Sequence, residues 1–161
     1  MAQAKLDHLL EVLAGVVERT AEGLAVKNEA GLVGRMDGLV HDAVFGDADA
    51  KAAARWIIWE AAQSLGVRPA SIHTLYTATG RGEVPRVFTV PAINLRMIAY
   101  DSARAVFRAA RSLDVGALIF EIARSEIGYT DQRPAEYSAA VLAAAIREGF
   151  RGPVFIQGDH F

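Results

Sequence analysis

Three consecutive stretches, "RVFTVPAINL" (86–95), "MIAYDSARAVFRAARSLD" (97–114) and "VGALIFEIA" (115–123), decide the fold. The first and third are apolar and β-branched without alternation, the pattern of strands buried on both faces. Pro91 fits such a strand only at an end or a bulge. Between them, Ala99, Ala103, Val106, Phe107 and Ala110 fall on one helical face. Strand, helix and strand of these lengths make a parallel βαβ unit with a right-handed crossover.

The pattern recurs downstream. "PAEYSAAVLAAAIREG" (134–149) predicts a helix with Pro134 in its first turn and Gly149 after its end. "GPVFIQG" (152–158) predicts a third strand. Upstream the periods are helical. Leu6, Leu9, Leu10, Leu13, Val16 and Val17 predict one amphipathic helix across 5–24. "GLVGRMDGLVHDAVFGDADA" (31–50) predicts a helix interrupted by glycines, and 48–65, with Trp56, Ile57 and Trp59, another that Gly66 ends. A short helix follows Pro69 and stops at the turn "TGRGEVP" (79–85). The expected organisation is a helical region over 1–84, followed by three strands and their crossover helices over 85–161.

Composition bounds the function. In 161 residues, 52% are hydrophobic and 22% charged, the balance of an ordered globular protein. A net charge of −2 gives no electrostatic case for nucleic acid or an anionic membrane. Without cysteine there are no disulfides and no thiolate metal ligands. The first acid, Asp7, comes too early for a signal peptide, and no apolar run approaches the roughly 20 residues of a membrane span. The expected location is therefore cytoplasmic.

Parallel α/β folds gather their chemistry at the carboxyl ends of the strands. There the sequence places Asn94 and Arg96, then the polar loop "EIARSEIGYTDQR" (121–133), then Asp159 and His160. Each also has a bland account. Asn94 forms turns, Ser125 caps one, Glu121, Arg124, Glu126 and Asp131 make a solvated or salt-bridged loop, and Asp159 beside His160 is a chance surface pair. His8, His41 and His73 belong to the helical half and read as structural. No phosphate-binding glycine loop follows a strand, and there is no G-x-S-x-G elbow. The only lysines are Lys5, Lys27 and Lys51, so the βα region offers no Schiff-base nucleophile.

"VPAINLRMIAYDSARAVFRAA" (90–110), "GALIFEIARSE" (116–126) and "GPVFIQGDHF" (152–161) together resemble the opening of the class II, metal-dependent fructose- and tagatose-bisphosphate aldolases. The resemblance covers about 84–161, and its most specific element is the Asp-His pair ending the third strand. It implies the N-terminal part of a TIM (β/α)₈ barrel. His160 then resembles a histidine ligand of the catalytic Zn²⁺ (or another divalent metal), and Asp159 the acid/base that handles a substrate proton. Asn94 matches the first-strand asparagine beside the ketose, and Ser125 the second-strand serine that contacts phosphate or substrate. The implied activity is a lyase of glycolysis, cleaving a ketose bisphosphate such as fructose 1,6-bisphosphate to dihydroxyacetone phosphate and an aldehyde phosphate. Gly158 and Phe161 depart from the family's usual leucine and glycine around this pair, so the sugar stays open.

A barrel of eight strands takes about 250 residues, and a catalytic zinc takes three protein ligands. Three strands and one rim histidine supply neither. The expectation is an inactive N-terminal fragment of a longer, homo-oligomeric aldolase, forming a partial barrel or a three-stranded sheet sandwiched by helices. Two alternatives stand beside it. One is a non-catalytic α/β module that binds a phosphorylated sugar or mediates assembly. The other is a different barrel lyase or isomerase with an Asp-His strand end.

Overall fold

The computed structural model describes residues 2–85 and 87–160. Arg86, which opens the first expected strand, and Phe161 lie outside the described residues.

The chain starts with α1 (Ala2–Val12), which carries Leu6, Leu9 and Leu10 against the core. It does not run on to residue 24 as its apolar stripe predicts. Gly15, at φ +76, turns the chain where an L-side chain would be strained. Val17 then opens a hairpin of β1 (Val17–Thr20) and β2 (Gly23–Val26), pairing with Val26.

α2 (Glu29–Phe45) follows an Asn28 cap whose side chain accepts from the Gly31 amide at 2.9 Å. Its internal glycines do not break it; burial of Leu32, Met36, Leu39 and Val40 outweighs their low propensity. α3 (Ala48–Ser64) is capped in the same way by Asp47 at 2.8 Å.

After α3 the chain forms a strand that the sequence reading did not contain, β3 (Val67–Ala70), and then α4 (His73–Gly80). The stretch 86–95 is a strand over only three residues, β4 (Ala92–Asn94); Val87 and Phe88 are 88% and 50% exposed instead of buried. α5 (Ala99–Ser112), β5 (Ile119–Ala123), α7 (Pro134–Arg147) and β6 (Gly152–Asp159) fall where expected. The polar loop after β5 contains a further short helix, α6 (Arg124–Thr130).

β3, β6, β5 and β4 make one parallel sheet in that order. Steps from β4 to β5 and from β5 to β6 move to the adjacent strand. The connection from β3 to β4 instead runs from one edge of the sheet to the other. The first 84 residues thus contribute a hairpin and a sheet strand as well as helices. The protein is α/β with a four-stranded parallel sheet, and among the described residues both edges of that sheet are open.

α5 and α7 pack together, and α7 also meets α2 and α3. From Tyr137 to Ile146 almost every α7 residue is buried, so this helix is a middle layer, apolar on all sides. Phe107 of α5 stacks at 5.0 Å on Phe120 of β5 and at 4.9 Å on Phe150. Each such buried ring contributes about 1.5–3 kcal/mol by area. Polar ties brace the layers. Arg55 of α3 meets Glu136 of α7, the Arg147 guanidinium reaches the Val33 carbonyl, and Arg104 and Arg108 share Glu148. No helix among the described residues is long and apolar enough to cross a membrane.

Candidate functional site

Phe120 faces α5, so its neighbours in β5, Ile119 and Glu121, face the other side of the sheet. Register carries that face across the strands: Asn94 pairs with Glu121, and Glu121 with Gln157. The Gln157 amide donates to the Glu121 carboxylate. Two residues further on, Ala123 pairs with Asp159. The same side of the sheet therefore presents a polar row of Asn94, Glu121 and Gln157. Ala123 and Asp159 stand above that row, at the carboxyl rim.

The buried carboxylate of Glu126 organises this rim. It is 4% exposed, in the first turn of α6. It accepts from the Ala123 amide at 2.9 Å, from Arg96 Nε at 2.7 Å and from Asn94 Nδ2 at 3.3 and 3.4 Å. Burial alone would raise its pKa. The Ala123 amide, Arg96 and Asn94 together outweigh burial and hold it below the ordinary carboxylate value. The same contact makes Arg96 hold its proton more firmly, with smaller help from Tyr129 and Asp159.

The four residues singled out from sequence divide. Asn94 lies at the end of β4 with its amide turned to Glu126. Asp159 ends β6, partly exposed, and His160 follows at φ +54 with its side chain 88% exposed. Their side chains meet, His160 Nε2 lying 3.5 Å from Asp159 Oδ1. All three stand on one rim. Ser125 is exposed on α6, two residues past the strand end, and the residue level with Asp159 is Ala123. The reading of the β5 loop as solvated or salt-bridged holds for Glu126 in its ion pair with Arg96, but it missed that this carboxylate is buried and also accepts from Asn94. One signal was present in "ARSE": a glutamate three residues after a strand's last residue is placed to accept that residue's amide, half of a capping box.

Next to this cluster a cleft of about 330 Å³ opens between the β4–α5 loop and α6, lined by Arg96, Met97, Ile98, Tyr129 and Gln132 among others. Ile98 sits at φ +44, a left-handed conformation unusual for a β-branched residue.

Imidazole nitrogen and carboxylate oxygen suit a zinc ion chemically, and His160 and Asp159 bring one of each. A catalytic zinc takes three protein ligands, and the described residues contain no group of three or more His, Cys, Asp or Glu placed to hold a metal. This donor set does not complete a zinc site. No family model matches the chain, and neither the curated proteins nor the solved structures provide a match.

Proposed function

We propose that this chain carries part of the catalytic rim of a class II, metal-dependent aldolase-like lyase acting on a phosphorylated ketose such as fructose 1,6-bisphosphate. The observation that carries the reading is the common rim: Asn94 at the end of β4 and the Asp159–His160 pair at the end of β6 lie at the carboxyl edge of parallel strands. The absence of lysine from the βα region supports it too, because an aldolase without a Schiff base needs another electron sink.

In this reading Asp159 takes the proton from the hydroxyl on the aldehyde-side carbon. The carbon–carbon bond breaks, and its electron pair stays with the ketone half as an enediolate. Protonation of that carbon then releases dihydroxyacetone phosphate. Asn94 donates to a substrate oxygen, and Ser125 stands at the border of the site. His160 would supply one ligand to the implied Zn²⁺, whose chemistry would be to polarise the ketone. In this reading β4, β5 and β6 are the first three strands of a (β/α)₈ barrel. A fourth barrel strand would then displace β3 from the β6 edge, where it pairs with Gly152–Phe155. A cytoplasmic location and a homo-oligomeric assembly belong to the same proposal.

The incomplete donor set, with His160 the one histidine at the rim among the described residues, favours a second reading, a non-catalytic α/β module that binds a phosphorylated sugar or mediates assembly. Aldol cleavage by the protein as encoded, assayed with added zinc, separates the two. With Asp159→Asn, zinc content should persist while cleavage falls by about 10²–10⁴-fold. Unchanged cleavage removes Asp159 from its role, and a wild-type protein that cleaves no ketose phosphate leaves the binding module.

A further inference from the structure

Most of the described arginines spend their guanidinium on internal partners. Arg104 and Arg108 converge on Glu148, Arg55 binds Glu136 and the Ala43 carbonyl, and Arg151 binds Glu29 and the Phe150 carbonyl. Arg96 differs. Its Nε is fixed at 2.7 Å on the buried Glu126 carboxylate, yet its side chain is 66% exposed. Among the described residues nothing hydrogen-bonds its two Nη groups. They form the fork of a planar guanidinium, which matches two oxygens of a carboxylate or phosphate. The fixed Nε removes most of the side chain's freedom, so ligand capture loses little further entropy.

The surroundings suit an anion that belongs to a larger molecule. Arg96 borders the 330 Å³ cleft together with the exposed Tyr129 and the half-buried Gln132, which add polar groups, and Met97, which adds an apolar wall; the Glu136 carboxylate also lines it, its charge already met by Arg55. On the other side it follows β4 two residues beyond Asn94. The pairing of β4 with β5 ends at Asn94–Glu121; Ala123 and Asp159 pair with each other two residues past that row, and the Asp159 carboxylate is near enough to help Arg96 hold its proton.

We propose that Arg96, oriented by Glu126, is the binding group for a phosphate monoester of the ligand, seating the phosphate in the cleft while the sugar carbons lie over Ala123 toward Asp159. The identity of the ligand as a sugar phosphate rests on the aldolase reading; the anion site itself does not. Glu126 is a positioning residue here, touching Arg96 and Asn94 and not the ligand.

The test uses the full chain with ¹⁵N-labelled arginine and inorganic phosphate as probe, with chloride at equal ionic strength as control. Phosphate, but not chloride, should move the Arg96 Nε signal with a saturable dependence. Arg96→Gln should weaken binding about tenfold or more, and Arg96→Lys, which keeps the charge but not the fork, by a smaller factor. Glu126→Gln should keep the charge on Arg96 yet weaken phosphate binding, a loss that a purely structural Glu126 would not cause at temperatures where the variant is folded. Phosphate that perturbs Arg111 or Arg151 instead of Arg96, or an affinity unchanged in folded Arg96→Gln, overturns the proposal. The wild-type signal requires no variant, so a misfolded substitution does not leave the question open. Phosphate binding at Arg96 without any ketose cleavage would retain this site and remove the aldolase reading; cleavage without binding at Arg96 would do the reverse.

Discussion

Arg55 of α3 and Glu136 of α7, separated by 81 residues, meet at 2.8 Å with both side chains mostly shielded from solvent. The pair fastens the N-terminal helices to the layer that covers the sheet, where truncating one partner strands the other's charge. Arg55→Met should cost about 1–3 kcal/mol in urea unfolding, below the range of a fully buried pair because some solvent reaches both groups. The exposed Lys5–Asp47 pair, at 3.7 Å, is the control, and Lys5→Ala should cost no more than about 0.5 kcal/mol. Equal costs for the two substitutions would refute the fastening role.

Glu126 makes the folded state sensitive to acid. Its folded pKa lies below the ordinary value of 4.5, because the Ala123, Arg96 and Asn94 bonds outweigh the effect of burial. A depressed carboxylate contributes stability that is complete above its unfolded pKa and is lost as pH falls through the folded one. Melting temperature should therefore decline below pH 4.5, and Glu126→Gln should flatten that decline while lowering stability at neutral pH. A variant with an unchanged acid slope would show that the carboxylate is not held as described.

Ile98 is strained where it has little to gain. It sits at φ +44 and is 73% exposed, so little burial offsets the conformation. Asparagine tolerates this region far better than a β-branched residue. Ile98→Asn should raise stability by about 1 kcal/mol in thermal unfolding. A decrease would mean that the isoleucine side chain has a role at the cleft that its exposure conceals.

Gly23 closes the hairpin at φ +140, and a methyl group there would run into the Glu60 carboxylate. The clash involves the movable end of a side chain, whereas the backbone strain cannot be relieved. Gly23→Ala should thus destabilise by about 1 kcal/mol or more, and adding Glu60→Ala should recover only a minor part of it. Full recovery in the double variant would assign the cost to the side chain instead.

Phe107 joins α5 to β5 through two ring contacts and is 1% exposed. Phe107→Ala should cost about 3–5 kcal/mol in denaturant unfolding. A cost below about 1 kcal/mol would mean that the neighbouring rings collapse into the space.

Much of the C-terminal architecture was legible because its signals are long. The α7 run is apolar for eight residues from Ala139 to Ile146, β5 and β6 carry β-branched residues, and Pro134 and Gly149 bracket a helix by local stereochemistry. The losses came where a short element depends on distant partners. β3 has four residues, one of them Pro69, and is a strand only because β6 lies beside it at a sheet edge, where proline is tolerated. The Leu6-to-Val17 stripe has helical spacing, but the left-handed turn at Gly15 overrides it. Val87 and Phe88 look like strand residues and find no neighbouring strand at the outer edge of β4. At the rim, Asn94, Asp159 and His160 were legible from their serial positions at strand ends. The role of Glu126 was missed, because its one signal, the spacing in "ARSE", has meaning only once a helix starts at Arg124 with Ala123 as its cap.

The strand between β3 and β5 is the last of the four in sequence. During synthesis β3 emerges more than eighty residues before β6, its partner in the sheet, and β5 waits for β6 to follow it. The helical layers can assemble early from local contacts, whereas the rim that groups Asn94, Ala123 and Asp159 has to form late, in a single closing event. A ribosome paused before Gly152 would hold a largely helical intermediate without that rim.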